Sequence, residues 1–266
     1  MPQIGVVLRP QTPPEGIRAV VELAERSGLP QLWLWEDCFL EGGLTTAAAA
    51  LAWSEHLVVG IGLLPVPLRN PAVVAMEIAT LARLFPGRFV ATLGHGVQPW
   101  MAQVGARVDS PMTLLREHTT AVRDLLSGQR VDTDGRYVHL DAVSLDWPPE
   151  APPTLLLGAR GEKSVRLAGE LTDGVLLDAV ADVDAVRRAR ELVDESRPAQ
   201  RGGRGQVVVY TEVDPREHAN DAALDTRVRE VVASLGEAGA DTVVLQATQD
   251  APDPRPLIEA AARIST

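Results

Sequence analysis

The run Val58-Val59-Gly60-Ile61-Gly62-Leu63 fills six consecutive positions with apolar side chains or glycine. A strand with one wet face alternates apolar and polar residues, whereas a strand buried on both faces does not. Shorter runs of the same kind occur at Leu155-Leu156-Leu157 and Val243-Val244-Leu245. Such strands are typical of a parallel sheet covered by helices. The sequence therefore indicates an α/β protein.

Strand candidates recur along the whole chain at intervals that leave room for a helix. They begin near Gln3, Gln31, Leu57, Arg88, Pro153, Gly174, Gln206 and Asp241. All intervals but one are 21 to 35 residues long, which fits a strand, a loop, a helix and a loop. Eight such units predict a (β/α)₈ TIM-like barrel, for which about 250 residues is typical. A doubly wound open sheet is the alternative.

The one long interval, of 65 residues, lies between the fourth and fifth strand candidates. A helix is predicted from Met112 to Ser127, followed by an extended segment from Val131 to Trp147. Asp134-Gly135 is a strong signal for a hairpin turn in that segment. Residues 131–152 are therefore predicted to form a β-hairpin insertion between strands 4 and 5, and residues 1–266 a single domain.

Charge and composition narrow the function classes. The chain has 266 residues with 25 Lys+Arg against 36 Asp+Glu, a net charge of −11. A chain this acidic lacks the basic surface that nucleic acids or anionic lipids require, so neither partner is expected. The single cysteine forbids an intramolecular disulfide. Because no basic segment or long apolar stretch follows Met1, no signal peptide is expected. We expect a soluble cytoplasmic protein that acts on small molecules.

In a (β/α)₈ barrel the site forms at the carboxyl ends of the strands. Glu36-Asp37 follows the second strand and is either an acidic pair at the barrel mouth or a cap and a solvated carboxylate. His95, between two glycines after the fourth strand, is a candidate acid, base or cofactor contact, or a hydrogen-bonded loop residue. Cys38 is either a nucleophile or a small buried residue. No metal site is expected, because the histidines and the cysteine form no ligand motif.

The turn Gly158-Ala159-Arg160-Gly161 lies between a predicted strand and a predicted helix, with Lys163 just beyond it. Backbone N–H groups at a helix start bind phosphate, and glycines allow close approach. An ordinary glycine-rich turn is the other interpretation. Because the chain is acidic overall, an anion bound at this turn would need such local donors.

The motifs at these strand ends resemble those of the bacterial luciferase-like family. The family's first run matches Gly60 to Pro65, Arg69-Asn70-Pro71-Ala72, Glu77 to Leu81, Phe85 to Phe89, and Leu93-Gly94-His95-Gly96. Its second signature matches Gly158 to Gly161 with Lys163, Leu167 to Glu170, and Asp173-Gly174, and its extended insertion matches Asp134 to Tyr137. The resemblance spans Ile4 to Asp178.

The resemblance implies a barrel that binds FMN or the deazaflavin coenzyme F420 at the strand ends. A bulged third strand, often with a non-prolyl cis peptide, would support the ring at Gly62-Leu63. The cofactor would also contact Glu36, Arg69, Gly94 and Gly96, and its phosphate would lie at Gly158, Ala159, Arg160, Gly161 and Lys163. Arg9, Phe39 and Trp100 would line the substrate pocket, and Trp35 could wall it as well. The three aromatic residues are equally interpreted as core or loop residues. The family resemblance also implies a homodimer.

Coenzyme F420 is the preferred cofactor, because Asp37 and Phe39 match a motif of deazaflavin-dependent dehydrogenases. Cys38 stands where those enzymes carry a catalytic histidine, and Val97 where sugar-phosphate dehydrogenases carry an acid. The catalytic candidates are therefore Asp37, Cys38 and His95, with Glu36 as a further proton acceptor.

The predicted activity is hydride transfer to or from a small organic substrate. An FMN-dependent monooxygenase, a non-catalytic flavin-binding protein and a phosphate-binding lyase or isomerase remain as alternatives.

Overall fold

The computed structural model describes residues 1–265, and within them eight parallel strands close into a barrel. The described residues contain ten strands in all, eight in the barrel and two in a separate hairpin. They are β1 Gln3–Leu8, β2 Gln31–Leu34, β3 Val58–Pro65, β4 Phe89–Gly94, β5 Val131–Asp134, β6 His139–Val143, β7 Thr154–Gly158, β8 Gly174–Leu177, β9 Gln206–Glu212 and β10 Thr242–Gln246. Around the barrel the order is β1-β10-β9-β8-β7-β4-β3-β2, while β5 and β6 pair separately. The predicted barrel with its hairpin insertion is confirmed, and the open sheet is excluded.

Helices surround the barrel and cover the outer faces of its strands. They are α1 Pro14–Arg26, α2 Gly43–Ala52, α3 Pro71–Leu84, α4 Gln98–Gln103, α5 Pro111–Leu126, α6 Glu162–Leu171, α7 Val183–Ser196, α8 Asp221–Glu237 and α9 Arg255–Ser265. Helix α1 shows why they form, since Ile17, Val20, Val21 and Ala24 recur at helical spacing and are buried. Gly28 follows the end of α1, and its φ of 71° is a conformation that glycine adopts without steric cost. Within residues 1–265, no helix combines the length and apolar character needed to cross a membrane.

The turn between β5 and β6 begins at the Asp134-Gly135 signal that the sequence contains. Residues 135–138 form the connection, and Gly135 N–H donates to the Val138 carbonyl at 2.9 Å. The Glu117 carboxylate, on α5, accepts the backbone N–H groups of residues 136, 137 and 138 at 2.8 to 3.1 Å. Glu117 thus satisfies three donors of a wider turn, and this long-range contact is not visible in the local sequence.

The interior of the barrel contains a second apolar cluster, distinct from the shell between strands and helices. It consists of Val7, Trp33, Leu156, Leu176, Val208, Tyr210 and Val244. Trp33 is its bulkiest member, and a Cβ atom added at Gly5 or Gly60 would lie within 3 Å of the indole. Because side chains alternate along a strand, positions two residues beyond this cluster face the barrel mouth. These positions include Arg9, Trp35, Asp178 and Gln246.

Candidate active site

A cavity of about 690 Å³ opens at the carboxyl ends of the strands, within the usual volume range of a cofactor or substrate site. It brings together many of the predicted site residues: Glu36, Asp37, Gly62, Leu63, His95, Gly96, Trp100, Gly158, Ala159, Arg160 and Gly161. Other predicted residues are not part of its lining: Arg9, Cys38, Phe39, Arg69, Gly94 and Lys163. Phe39 is 66% exposed and Lys163 is also exposed.

Strand β3 forms one wall of the cavity, and its pairing with β4 is irregular at one place. The pairing of β3 with β4 shifts register between Ile61 and Leu64, and the Gly62–Leu63 peptide bond is cis. The predicted bulge and cis peptide are confirmed at the predicted residues. A Cβ atom added at Gly94 or Gly158 would lie 2.5 or 2.4 Å from Cδ2 of Leu63. These two glycines therefore make room for the Leu63 side chain.

Glu36 is held by an ion pair and a helix start. Its carboxylate accepts two hydrogen bonds from the Arg69 guanidinium and one from the Gly43 N–H, at the beginning of α2, at 2.8 Å. His118, on α5, is almost completely buried, and its Nε2 donates to the Arg69 carbonyl at 3.2 Å. Glu77 lies 3.9 Å from the Arg69 Nε. The Arg69 guanidinium is thus close to the carboxylates of Glu36 and Glu77, and the Arg69 carbonyl is hydrogen-bonded to His118.

Asp37 lines the cavity beside the Glu36–Arg69 ion pair, and its surroundings shift its pKa. Burial raises the pKa of Asp37, and the positive charge of Arg9 lowers it in part. Arg9 is 6% exposed, donates to the Ala247 carbonyl at 2.8 Å and lies 4.8 Å from the Trp35 ring centroid. Arg9 therefore lies behind the cavity wall and acts on Asp37 through its charge.

The surroundings of Cys38 raise its pKa, whereas those of His95 lower it. Burial, followed by the charges of Glu36 and Asp37, raises the pKa of the Cys38 thiol, which disfavours the nucleophilic thiolate. Burial lowers the pKa of His95, so its imidazole is neutral at pH 7. The buried Nδ1 of His95 has no hydrogen-bond partner. His95 therefore offers a neutral nitrogen at the cavity wall, whereas Cys38 does not reach the cavity.

The glycine-rich turn leads into α6, as predicted. Gly161 is the N-cap residue and provides no side-chain bond, while the Ser164 hydroxyl donates to its carbonyl at 3.0 Å. Arg160 forms an ion pair with Asp178 at the end of β8. Lys163, the only lysine in the sequence, lies in the exposed first turn of α6. The start of α6 can therefore present backbone N–H groups to an anion, with Lys163 next to it.

The structure adds cavity residues that sequence reasoning did not single out as site residues. They are Pro65, Val97, Gln98, Ser164, Leu176, Asp178, Ala179, Val180, Tyr210 and Gln246. Trp35 lines the cavity as well. Tyr210 is 3% exposed, and its hydroxyl donates to the Gly62 carbonyl at 3.4 Å. The inward register of β9 and β10 was the available signal, since it carries Tyr210 and Gln246 to the barrel mouth. Among the described residues 1–265, no group of three or more His, Cys, Asp or Glu side chains could hold a metal ion.

Two curated proteins illustrate the sequence similarity. The chain is 26% identical over 247 residues to the 5,10-methylenetetrahydromethanopterin reductase of Methanolobus tindarius, covering 91% of this chain and 73% of that protein. It is 31% identical over 176 residues to the F420-dependent glucose-6-phosphate dehydrogenase of Kineococcus radiotolerans, covering 60% of this chain and 51% of that protein. The aligned region thus spans about half the length of the dehydrogenase relative.

Solved structures share the fold at low sequence identity. An F420-dependent secondary alcohol dehydrogenase in complex with an F420-acetone adduct superposes with a TM-score of 0.84 at 17% identity, covering 99% of this chain and 98% of that one. The FMN-bound oxygenating constituent of 3,6-diketocamphane monooxygenase from Pseudomonas putida gives 0.78 at 17% identity, covering 100% and 97%. The profile of the luciferase-like monooxygenases matches residues 2–264. The chain therefore belongs to the luciferase-like monooxygenase family.

Proposed function

We propose that this protein is a coenzyme F420-dependent oxidoreductase that transfers a hydride to or from a small organic substrate. The observation that carries the proposal is the cavity at the strand ends, one wall of which is the bulge of β3 at Gly62 and Leu63. The family resemblance assigns the support of the cofactor ring to this bulge. Relatives with F420-dependent names strengthen the choice of cofactor.

The lining of the cavity fits a flat, polar cofactor with a substrate beside it. Buried polar atoms without a partner belong to lining side chains that include His95 (Nδ1) and Gln246 (Oε1). Buried polar groups are normally hydrogen-bonded, so these atoms indicate that a ligand completes the site. Gly62 and Leu63 would support the ring, and the start of α6 with Lys163 would bind the phosphate.

When bound, the deazaflavin accepts or donates the hydride, and the protein must hold the substrate within about 3–3.5 Å and handle one proton. Asp37 is our candidate for the proton, because it lines the cavity and burial raises its pKa. His95, neutral and partly unsatisfied, would orient the substrate or the ring edge. Cys38 lies outside the cavity lining, so we assign it no proton transfer.

The test is a titration of the purified protein with F420 and, separately, with FMN, followed by absorbance and fluorescence. We expect a micromolar or tighter dissociation constant for F420 and weaker binding of FMN. Binding of neither cofactor would refute the proposal. Tighter binding of FMN, with oxygen-dependent turnover in the presence of a flavin reductase, would establish the monooxygenase alternative, which the fold of the FMN-bound neighbour supports.

A non-catalytic flavin-binding role is the remaining alternative, since Cys38 replaces the histidine of the dehydrogenase motif. It predicts F420 binding without turnover. A panel of secondary alcohols with oxidised F420, and of ketones, imines and enones with reduced F420, separates the two roles. Consumption of F420 in either direction contradicts the non-catalytic role.

We also propose that residues 1–266 form one domain and that the protein is a cytoplasmic homodimer. Helix α3 supports the dimer, because it buries one apolar face against the barrel and exposes another. The exposed stripe consists of Val73, Met76 and Leu84, with the neighbouring Trp147 72% exposed. A helix that is apolar on both sides is typical of one covered by a partner. The net charge of −11 disfavours nucleic acid as a partner.

A further inference from the structure

Gln246 ends strand β10 and lies in the wall of the cavity, with only 5% of its surface exposed. Its side-chain amide nitrogen lies 3.4 Å from Oε2 of Glu212, the residue paired with it on β9. The amide oxygen Oε1 is buried and has no hydrogen-bond partner. A buried amide with only half of its hydrogen bonds made is costly, so a ligand that completes them is expected.

The orientation of this amide follows from chemistry. An ionised carboxylate only accepts hydrogen bonds, so the NH₂ group of Gln246 must face Glu212. The carbonyl oxygen then faces away from Glu212. A partner for Oε1 must therefore donate, as a hydroxyl or an N–H group does.

The barrel topology places Gln246 opposite the proposed cofactor support. In the closed order of eight strands within residues 1–265, β10 is three positions away from β3 and four from β4, and four is the greatest possible separation. The inward positions at the ends of β3, β4 and β7 are the glycines Gly62, Gly94 and Gly158. The glycines at the ends of β3, β4 and β7 thus make room for Leu63 and the cofactor ring. The part of the cavity wall that contains Gln246 is then available to contact the substrate.

The charges of the lining limit the kind of substrate. Arg160 is the only cationic side chain among the lining residues that the structure describes, and it is paired with Asp178. Glu36, Asp37 and Asp178 are acidic lining residues. A substrate with a phosphate or carboxylate near Gln246 would meet acceptors and no free cation, which is unfavourable in a half-buried site.

We infer that Gln246 is a substrate-positioning residue whose Oε1 accepts a hydrogen bond from a hydroxyl or N–H group of an unphosphorylated substrate, either an uncharged alcohol or an amine. This inference rests on the proposed F420-dependent function and names its substrate class. Direct hydrogen bonding would fix the orientation of the substrate across the cavity from the cis peptide.

The test compares the wild type with Gln246→Leu, which keeps the approximate size and removes the amide. Gln129→Leu makes the same change at an exposed position after α5 and is the matched control. Three quantities are measured: the melting temperature without cofactor, the dissociation constant of F420, and kcat and KM for a panel of unphosphorylated secondary alcohols and amines.

We expect Gln246→Leu to melt at the wild-type temperature or above, because it removes an unsatisfied buried acceptor. F420 should bind within threefold of the wild type, while KM for the best alcohol or amine rises about tenfold with little change in kcat. A fall in melting temperature of several degrees relative to Gln129→Leu overturns the inference, since it shows that the amide is already satisfied. A change in KM below threefold also overturns it.

The two levels of the proposal fail differently. A wild-type protein that binds F420 but turns over glucose 6-phosphate, and no unphosphorylated alcohol or amine, contradicts the substrate class inferred from Gln246. A wild-type protein that binds no F420 refutes the proposed function. The melting temperature of Gln246→Leu needs no cofactor, so it decides the state of the amide in every case.

Discussion

His118 is predicted to make the stability of the folded protein depend on pH. The side chain is 1% exposed on α5, and burial lowers its pKa from the ordinary 6.5 to about 4, partly offset by its hydrogen bond to the Arg69 carbonyl. The folded state therefore keeps His118 neutral, whereas the unfolded chain protonates it near pH 6.5. The stabilisation is complete above pH 6.5 and is lost as the pH falls towards 4.

The size of the effect follows from the two pKa values. Between them the unfolded chain binds one more proton than the folded protein, and each pH unit then costs about 1.4 kcal/mol. The loss between pH 7 and pH 5 is about 2 kcal/mol, and the full loss below pH 4 is about 3 kcal/mol. This is a large share of the stability of an ordinary domain, which is about 5–15 kcal/mol.

The assay is urea unfolding at pH 7 and pH 5, followed by circular dichroism, for the wild type and His118→Gln. The glutamine amide can still donate to the Arg69 carbonyl but does not titrate, so the variant should lose about 2 kcal/mol less than the wild type between these pH values. His139→Gln, at a 61% exposed position in the hairpin, is the control and should follow the wild type. Equal losses in the wild type and His118→Gln would refute the reasoning.

Further predictions concern the cavity and the outer surface. The rate of alcohol oxidation should fall as the pH drops through the raised pKa of Asp37, because only the ionised carboxylate accepts the proton. Asp37→Asn should lower kcat by about 10²-fold or more and remove this fall in rate at acidic pH. The same fall in the variant would contradict the role of Asp37. Gly158→Ala places a Cβ atom 2.4 Å from Leu63 Cδ2 and should weaken F420 binding about tenfold. The control Gly16→Ala, in α1, should bind F420 as the wild type does. Equal affinities of the two variants in a titration would contradict the packing argument. Met76→Glu should convert the proposed dimer to a monomer in light scattering, and a dimer that persists would exclude the α3 stripe as the interface.

The barrel was predictable because burial on both faces leaves a direct trace in the sequence. Every predicted barrel strand starts within one residue of its observed position, since the apolar runs and the glycine and proline residues around them mark both ends. Helix α5 is likewise shifted by one residue from the predicted bounds. The place of the hairpin turn was predictable, but its hydrogen bonds to the carboxylate of Glu117 were not, because Glu117 lies on another element.

The site was predictable only in part, because strand ends can be located from the sequence but side-chain pairing cannot. Arg69 was expected at the cofactor, yet it forms an ion pair with Glu36 and lies outside the cavity lining. Phe39 was expected in the pocket and is mostly exposed. Tyr210 and Gln246 lie within apolar runs that read as buried strands, so only the closed barrel reveals that they face the mouth.

The charge pairs around the cavity bear on how an acidic chain can bind an anionic cofactor. Among the described residues, the arginines nearest the cavity each have a carboxylate partner: Arg9 with Glu212, Arg69 with Glu36, and Arg160 with Asp178. These pairs fix the shape of the cavity wall and cancel most of the local positive field. Phosphate binding then depends on short-range donors, which the start of α6 and Lys163 can supply. Because such contacts are directional, they favour a correctly placed cofactor over anions in general.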